Sequence, residues 1–396
     1  MKKIKLVEAC LKIGSGATPR GGKNVYCEKG ISLIRSQNVL DFDFSENGLV
    51  YINEGQASKL NNVEVMEGDV LINITGDSVA RATIMKSDFL PARVNQHVAI
   101  IRAKKEIISP LYLLYFLQYQ KSYLLQLASA GATRNALTKS MIAGIELELP
   151  SLDIQRKIVS ILNDIQEKIL ENKKINENLE QQVLSLYRNK FDNTSNSERK
   201  ICRADEYFDI SIGKTPPRKE PQWFSTNLQD VTWVSISDMG TCGLYIMRSS
   251  EQITQEAVER HNVKVVPDNT IILSFKLTVG RIAITNGEMT TNEAIAHFKT
   301  DKKEINEYLY CYLKCFNYQT MGSTSSIATA VNSKIIKGMP FVVPTNAELE
   351  EFHDFAAPMF AKIKANQIET DNLTELRDTL LPKLMSGELD VSKIEF

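Results

Sequence analysis

Ile145-Glu146-Leu147-Glu148-Leu149-Pro150 closes a stretch of chain that closes again as Met339-Pro340-Phe341-Val342-Val343-Pro344, 194 residues later (344 minus 150). In the first run apolar residues alternate with glutamates, the period of a strand with one face in a core and its carboxylates in solvent. The same offset pairs Gly144 with Gly338, and Asn172, Asn178 and Leu179 with Asn366, Asn372 and Leu373. Earlier in each half it drifts towards 200 (281 minus 81): Gly16-Ala17-Thr18-Pro19-Arg20 resembles Gly213-Lys214-Thr215-Pro216-Pro217-Arg218, Ile31–Ile34 resembles Val231–Val234, and Arg81 falls opposite Arg281. Offsets constant in helices and wandering in loops indicate one domain and one helix present twice, with two working faces related by a rough two-fold.

At 396 residues the chain is long enough for two or three domains with their own cores. Its longest apolar stretch, Leu111–Leu117, is broken by tyrosines and too short to cross a bilayer. The start, Met1-Lys2-Lys3-Ile4-Lys5, has no apolar run of the kind a signal peptide needs. The six cysteines (10, 27, 202, 242, 311, 315) form no Cys-x-x-Cys pair and read as buried free thiols of a reducing cytoplasm; the four scattered histidines offer no zinc pattern. Residues 1–150 hold 18 Lys+Arg against 14 Asp+Glu, whereas residues 346–396 hold 5 against 11. The acidity therefore gathers on the last helix, as a solvated face or a protein-docking surface, and leaves the globular parts neutral to basic.

Four segments follow: 1–150, 151–192, 200–344 and 345–390. The first and third read as mixed, strand-rich domains, with strands near Ile31–Ile34, Val70–Ile74, Ala82–Met85 and Val98–Arg102, then Tyr207–Ile212, Trp233–Ile236, Thr270–Phe275 and Arg281–Thr285. Each carries one helix, Pro110–Leu127 (capped by Ser109) and Glu304–Phe316. Asn193–Ser197 reads as a polar linker.

The second and fourth segments carry a heptad seam. It runs Ile158, Leu162, Ile165, Ile169, Asn172, Asn176, Leu179, Val183, Leu186, and repeats as Phe352, Ala356, Met359, Ile363, Asn366, Thr370, Leu373, Arg377, Leu380, with Pro382 expected to disrupt its end. A helix over 152–190 would be roughly 58 Å long at ~1.5 Å per residue. Antiparallel packing of the two would hold the domains apart on a rod; the alternative is that each helix lies along its own domain. The fold expected is α+β: two repeated strand-rich domains and two long antiparallel coiled-coil helices in pseudo-two-fold arrangement. Asn172 and Asn366, at equivalent seam positions, either hold the register or sit in solvent.

The motifs of phosphate and methyl transfer are missing. There is no Gly-x-x-x-x-Gly-Lys-Ser/Thr, and Gly14-Ser15-Gly16 lacks its third glycine and is followed by Pro19, so it reads as a turn. Thr215-Pro216-Pro217-Arg218 has the wrong chemistry for an amino-methyltransferase loop, and no carboxylate-lysine nuclease cluster stands out. No catalytic residue is assigned. The polar loops are instead rich in groups that bond base edges and phosphates. The candidates for DNA contact are Arg20, Lys23, Arg35, Gln37, Asn38, Ser78, Arg81, Arg134 and Asn135 in the first copy, and Arg218, Lys219, Ser235, Ser237, Lys276, Thr278, Arg281 and Ser325 in the second. Positions kept while side chains differ, such as Arg35-Gln37-Asn38 against Ser235-Ser237-Asp238, suit a reader with two unlike halves.

Over essentially its whole length the chain resembles the specificity (S) subunit of type I restriction-modification enzymes. The resemblance rests on Gly16–Arg20, on Gly68-Asp69-Val70-Leu71-Ile72 with the turn Gly76–Arg81, on Asn95-Gln96, and on Gly131–Lys139 followed by Ile145–Gln155. It rests also on the second copy of this order and on Leu380-Leu381-Pro382-Lys383-Leu384-Met385-Ser386-Gly387-Glu388. The second copy departs at Thr345-Asn346-Ala347-Glu348 and at Glu293. The resemblance implies two target recognition domains joined by conserved spacer helices, reading an asymmetric bipartite site in double-stranded DNA. It implies docking to two methyltransferase (M) subunits that bring S-adenosylmethionine and to restriction (R) subunits that use ATP and Mg, with no cofactor in this chain, no membrane and a cytoplasmic setting. Two rivals are a methyltransferase or nuclease polypeptide with an unrecognised site, and a coiled-coil scaffold that binds only protein.

Overall fold

Alternation at the closing runs becomes pairing between the two ends of each domain. In a computed structural model that describes residues 2–129, 135–192, 199–321 and 331–394, Glu146–Leu149 lies antiparallel to Lys2–Lys5, and Pro340–Val343 lies antiparallel to Lys200–Arg203. Leu147 and Leu149 are buried while Glu146 and Glu148 face solvent. The chain divides into two compact units, Met1–Leu170 with Asn372–Phe396, and Glu171–Asp371; each holds one strand-rich domain and part of both long helices.

In the first unit Cys10–Ser15, Val98–Ala103, Val70–Asn73 and Ala82–Ile84 form an antiparallel sheet in that spatial order. A second sheet runs Tyr26–Cys27, Val50–Ile52, Ile31–Ile34, Ala92–Val94, Glu64–Val65, with Ile31–Ile34 parallel to Ala92–Val94. The first sheet is buried on both faces: Val70, Ile72 and Ile101 point to a core shared with the helices, and Leu71, Val98 and Ile100 to a core shared with the second sheet. This is why these strands read as continuous apolar runs.

The second unit repeats the plan. One sheet runs Asp209–Ile212, Ile295–Lys299, Ile271–Ser274, Ile282–Thr285, Tyr245–Ile246; the other runs Phe224–Ser225, Glu251–Ile253, Val231–Val234, Thr290–Thr291, with Val231–Val234 parallel to Thr290–Thr291. The parallel pair recurs at the equivalent place, which supports duplication at the level of topology.

Several local expectations needed correction; the strand expected over Trp233–Ile236, for one, is Val231–Val234. The helix expected over Pro110–Leu127 is two, Pro110–Tyr119 and Lys121–Ser129, because the break at Gln120 lets Lys121 join Gln118 on the Asp41 carboxylate. The strand expected from Tyr207 starts at Asp209, since Ala204–Tyr207 is a helical turn that sets Tyr207 and Phe208 against Phe341. Glu304–Phe316 narrows to Asn306–Cys315. The linker Asn193–Ser197 lies outside the described residues.

The long helices run Leu152–Tyr187 and Asn346–Ser386. None of the eighteen seam positions is exposed. In the first unit Ile158 and Leu162 pack with Leu381, Leu384 and Met385, and Arg377 donates to Gln166 Oε1 at 2.6 Å. In the second unit Asn172 Nδ2 donates to Glu369 at 2.9 Å, Asn366 Nδ2 donates to Asn176 Oδ1 at 2.8 Å, and Tyr187 meets Phe352 at 6.1 Å. Within each unit one helix's numbers rise as its partner's fall, so the pairing there is antiparallel. Pro382 does not end the helix, because burial of Leu381, Leu384 and Met385 outweighs the lost backbone bond. Asn172 and Asn366 are each 1 % exposed, which removes the solvent alternative. The six thiols are free, but only Cys10 and Cys311 are buried and Cys27 is exposed. Among the described residues no helix is long and apolar enough to cross a membrane.

Candidate nucleic-acid interface

The glycine that opens each Gly-x-Thr-Pro motif brings loops together. A Cβ on Gly16 would lie 2.2 Å from Asn95 O, and one on Gly213 would lie 2.0 Å from Thr291 Oγ1 and 2.2 Å from Asn292 O. Only glycine allows that approach. Gly16 N–H donates to Val98 O at 2.8 Å, and Gly213 N–H to Ile295 O at 3.1 Å. Gly14 and Ser15 belong to a strand rather than to the expected turn.

Around these glycines the other loops converge by hydrogen bonds. In the first unit Thr75 Oγ1 lies 2.7 Å from His97 Nδ1, Gly76 N–H donates to Asn135 O at 3.2 Å, and Asn73 Nδ2 donates to Ser36 O at 2.9 Å. In the second, buried His297 is held between Ser211 Oγ at 3.0 Å and Thr291 Oγ1 at 2.7 Å. Burial, with Lys299 nearby, lowers the pKa of His297 to about 3, so the ring is neutral at physiological pH. Asn95 and Asn292 anchor the following backbone, their Oδ1 atoms accepting from His97 N–H at 3.1 Å and Ala294 N–H at 3.0 Å.

The device after the parallel strand is also repeated. Asn38 Oδ1 accepts from Arg35 N–H at 3.0 Å, and Asp238 Oδ2 accepts from Ser235 N–H at 2.8 Å. Burial pulls the Asp238 carboxyl up, but hydrogen bonds from Ser235 and Ser250 outweigh it and hold it below its ordinary range. Asn38 is 0 % exposed, with Nδ2 on Ser45 O at 2.8 Å, so it shapes the loop and cannot reach a base.

The remaining candidates separate by what they already touch. Arg20, Lys23, Arg81 and Lys219 are exposed, with no ion pair among the described residues, and fit phosphate or guanine. Gln37 reaches Asn47 O at 3.2 Å, and Arg35 donates to Gly48 O beside the Tyr26 ring. Arg218 is compensated by Glu251 at 3.0 and 2.8 Å and lies over Phe224 and Trp233 at 4.1 and 4.7 Å. Ser235 is engaged by Asp238, and Arg281 donates to Ile236 O at 2.6 Å. Asn135, Ser237, Lys276 and Thr278 are exposed, and Ser78 is half-buried. Arg134 and Ser325 lie outside the described residues. A groove of about 640 Å³ in the second unit, walled by Glu177, Tyr245, Arg248 and Gln367, holds none of these candidates. No cluster of three or more His, Cys, Asp or Glu suited to a metal occurs among the described residues. Leu277 had no sequence signal: an isolated leucine in a polar loop becomes conspicuous only once its exposure is known.

Residues 21–181 and 196–375 each match the model of the type I restriction modification DNA specificity domain. The chain is 25 % identical to the type I restriction enzyme MjaIX specificity subunit of Methanocaldococcus jannaschii, over 99 % of this chain and 94 % of that one. It is 22 % identical to the HindI specificity subunit of Haemophilus influenzae, over 85 % and 88 %. A solved S subunit from M. genitalium shares the fold, with a TM-score of 0.55 at 15 % identity, covering 97 % of this chain and 96 % of that one.

Proposed function

We infer the working of this chain from the premise that it belongs to the type I restriction-modification DNA specificity family, as a non-catalytic specificity subunit with two tandem DNA recognition domains. Each domain reads one half of an asymmetric bipartite target in double-stranded DNA, and the long helices act as spacers that set the gap. The chain assembles with other subunits of its system. In this reading they are two methyltransferase subunits bringing S-adenosylmethionine, joined by restriction subunits that use ATP and Mg, in the cytoplasm.

One observation carries the asymmetric reading. The two domains share loop backbones but not loop side chains: the same carboxyl-or-amide brace closes Arg35-Ser36-Gln37 and Ser235-Ile236-Ser237. Equal scaffolds with unequal reading groups recognise unequal half-sites. Replacing residues 1–150 with another recognition domain, and mapping the bases modified by the assembled complex, tests this. One half-site should change and the other persist; a change in both refutes modular reading.

A further inference from the structure

The most exposed large hydrophobic side chain described is Leu277, 97 % accessible at the tip of the turn between Ile271–Ser274 and Ile282–Thr285. Its backbone is left-handed, with φ of 60°, and Thr278 N–H donates across it to Lys276 O at 2.7 Å. That is a γ-turn of the rarer hand, strained for any residue with a Cβ. The turn is braced from below by buried Ser274, whose Oγ donates to Thr278 O at 2.6 Å and accepts from Arg281 N–H at 3.0 Å. In the matching turn the first domain carries its positive φ on Gly76, φ 76°, where it costs no strain. The second domain thus holds an almost fully exposed leucine in a strained conformation on a turn tied down by Ser274.

We propose that Leu277 is an apolar reading element that packs on the C5 methyl of a thymine in the half-site recognised by the second domain. This rests on the DNA-reading function proposed above. Its neighbours Lys276 and Thr278, both exposed, fit phosphate and base edges on either side, so the tip presents one apolar group within a polar frame. Insertion between base pairs is the weaker alternative: unstacking a step costs more than burying one leucine returns, and methyl contact requires no deformation. Gly76 has no side chain to offer, so the contact is confined to one half-site.

The test uses the complete modification complex and duplexes of its mapped target, each thymine of the second half-site replaced singly by uracil. With the unaltered chain one replacement should weaken binding about fourfold, the burial of one methyl-sized group (about 0.8 kcal/mol) at 1.4 kcal/mol per tenfold. Leu277→Gly should weaken binding to the thymine duplex about five- to tenfold and abolish sensitivity to that uracil. It should leave subunit assembly intact and the unfolding midpoint unchanged or higher, since the strain is relieved. The proposal is overturned by a half-site without thymine, by a Leu277→Gly complex that binds as the unaltered one does, by uracil sensitivity independent of Leu277, or by loss of assembly instead of DNA contact. If the unaltered complex binds no DNA, the underlying function fails as well; if it binds and only the coupling is missing, that function stands.

Discussion

Gly16→Ala should damage the first recognition domain alone. The added Cβ would sit 2.2 Å from Asn95 O and 2.3 Å from Val94 O, where ordinary contact begins beyond 3.4 Å. Both obstacles are backbone, so the two segments must part by roughly 1 Å, an overpacking cost of about 1–3 kcal/mol. The bond from Ala17 N–H to Val94 O, 3.0 Å, crosses the same gap, and its loss adds about 1 kcal/mol. The sum, about 2–4 kcal/mol, should lower the unfolding midpoint of that unit by roughly 5–10 °C. Displacing Asn95 and its neighbours should erase the first half-site from the modified sequence. Differential scanning calorimetry of the full chain, with mapping of modified bases, reads both effects, and Gly213→Ala should produce the mirror result. A midpoint within 1 °C of the unaltered chain would refute the close-approach argument.

Folded His297 titrates near 3 and unfolded histidine near 6.5, so the unfolded chain takes up the proton first. Its contribution is whole above pH 6.5 and shrinks as pH falls, by about 2 kcal/mol at pH 5; unfolding of His297→Gln against pH should lack that slope. Arg199, inserted between Glu348 and the carbonyls of Phe191 and Lys190, is 7 % exposed in its side chain, and Arg199→Ala should cost about 3–5 kcal/mol in denaturant unfolding by depriving the Glu348 carboxylate of its cation. Leucine at both Asn172 and Asn366 should raise stability, because Asn172 Oδ1 is buried without a partner, yet broaden the distance distribution between spin labels at 178 and 361, since the polar register is lost. Seven residues added to each long helix lengthen it by about 10.5 Å, so the mapped target should gain roughly three base pairs of gap.

The parts readable in advance were those set by period. Alternation exposed the closing strands, the seam exposed both helices, and the repeat offset exposed the duplicated plan, because all three record which face meets a core. What escaped depended on single tertiary contacts. Gln120 breaks a helix because Asp41 lies within reach of Lys121, eighty residues away in sequence (121 minus 41). Pro382 is tolerated because its neighbours are buried, which the local pattern could not reveal. At the interface, residue type identified Arg20, Lys23, Arg81 and Lys219, which are free to bind, but not that Asn38 is spent inside its own loop or that Arg218 is held by Glu251. Leu277 was invisible because an apolar residue announces a core until exposure says otherwise.

Genome-wide mapping of the bases modified by the intact system tests most directly whether two unlike readers act at once. Two different half-sites separated by a fixed run of unspecified bases is the predicted result. A palindrome, or one uninterrupted recognition block, would contradict it.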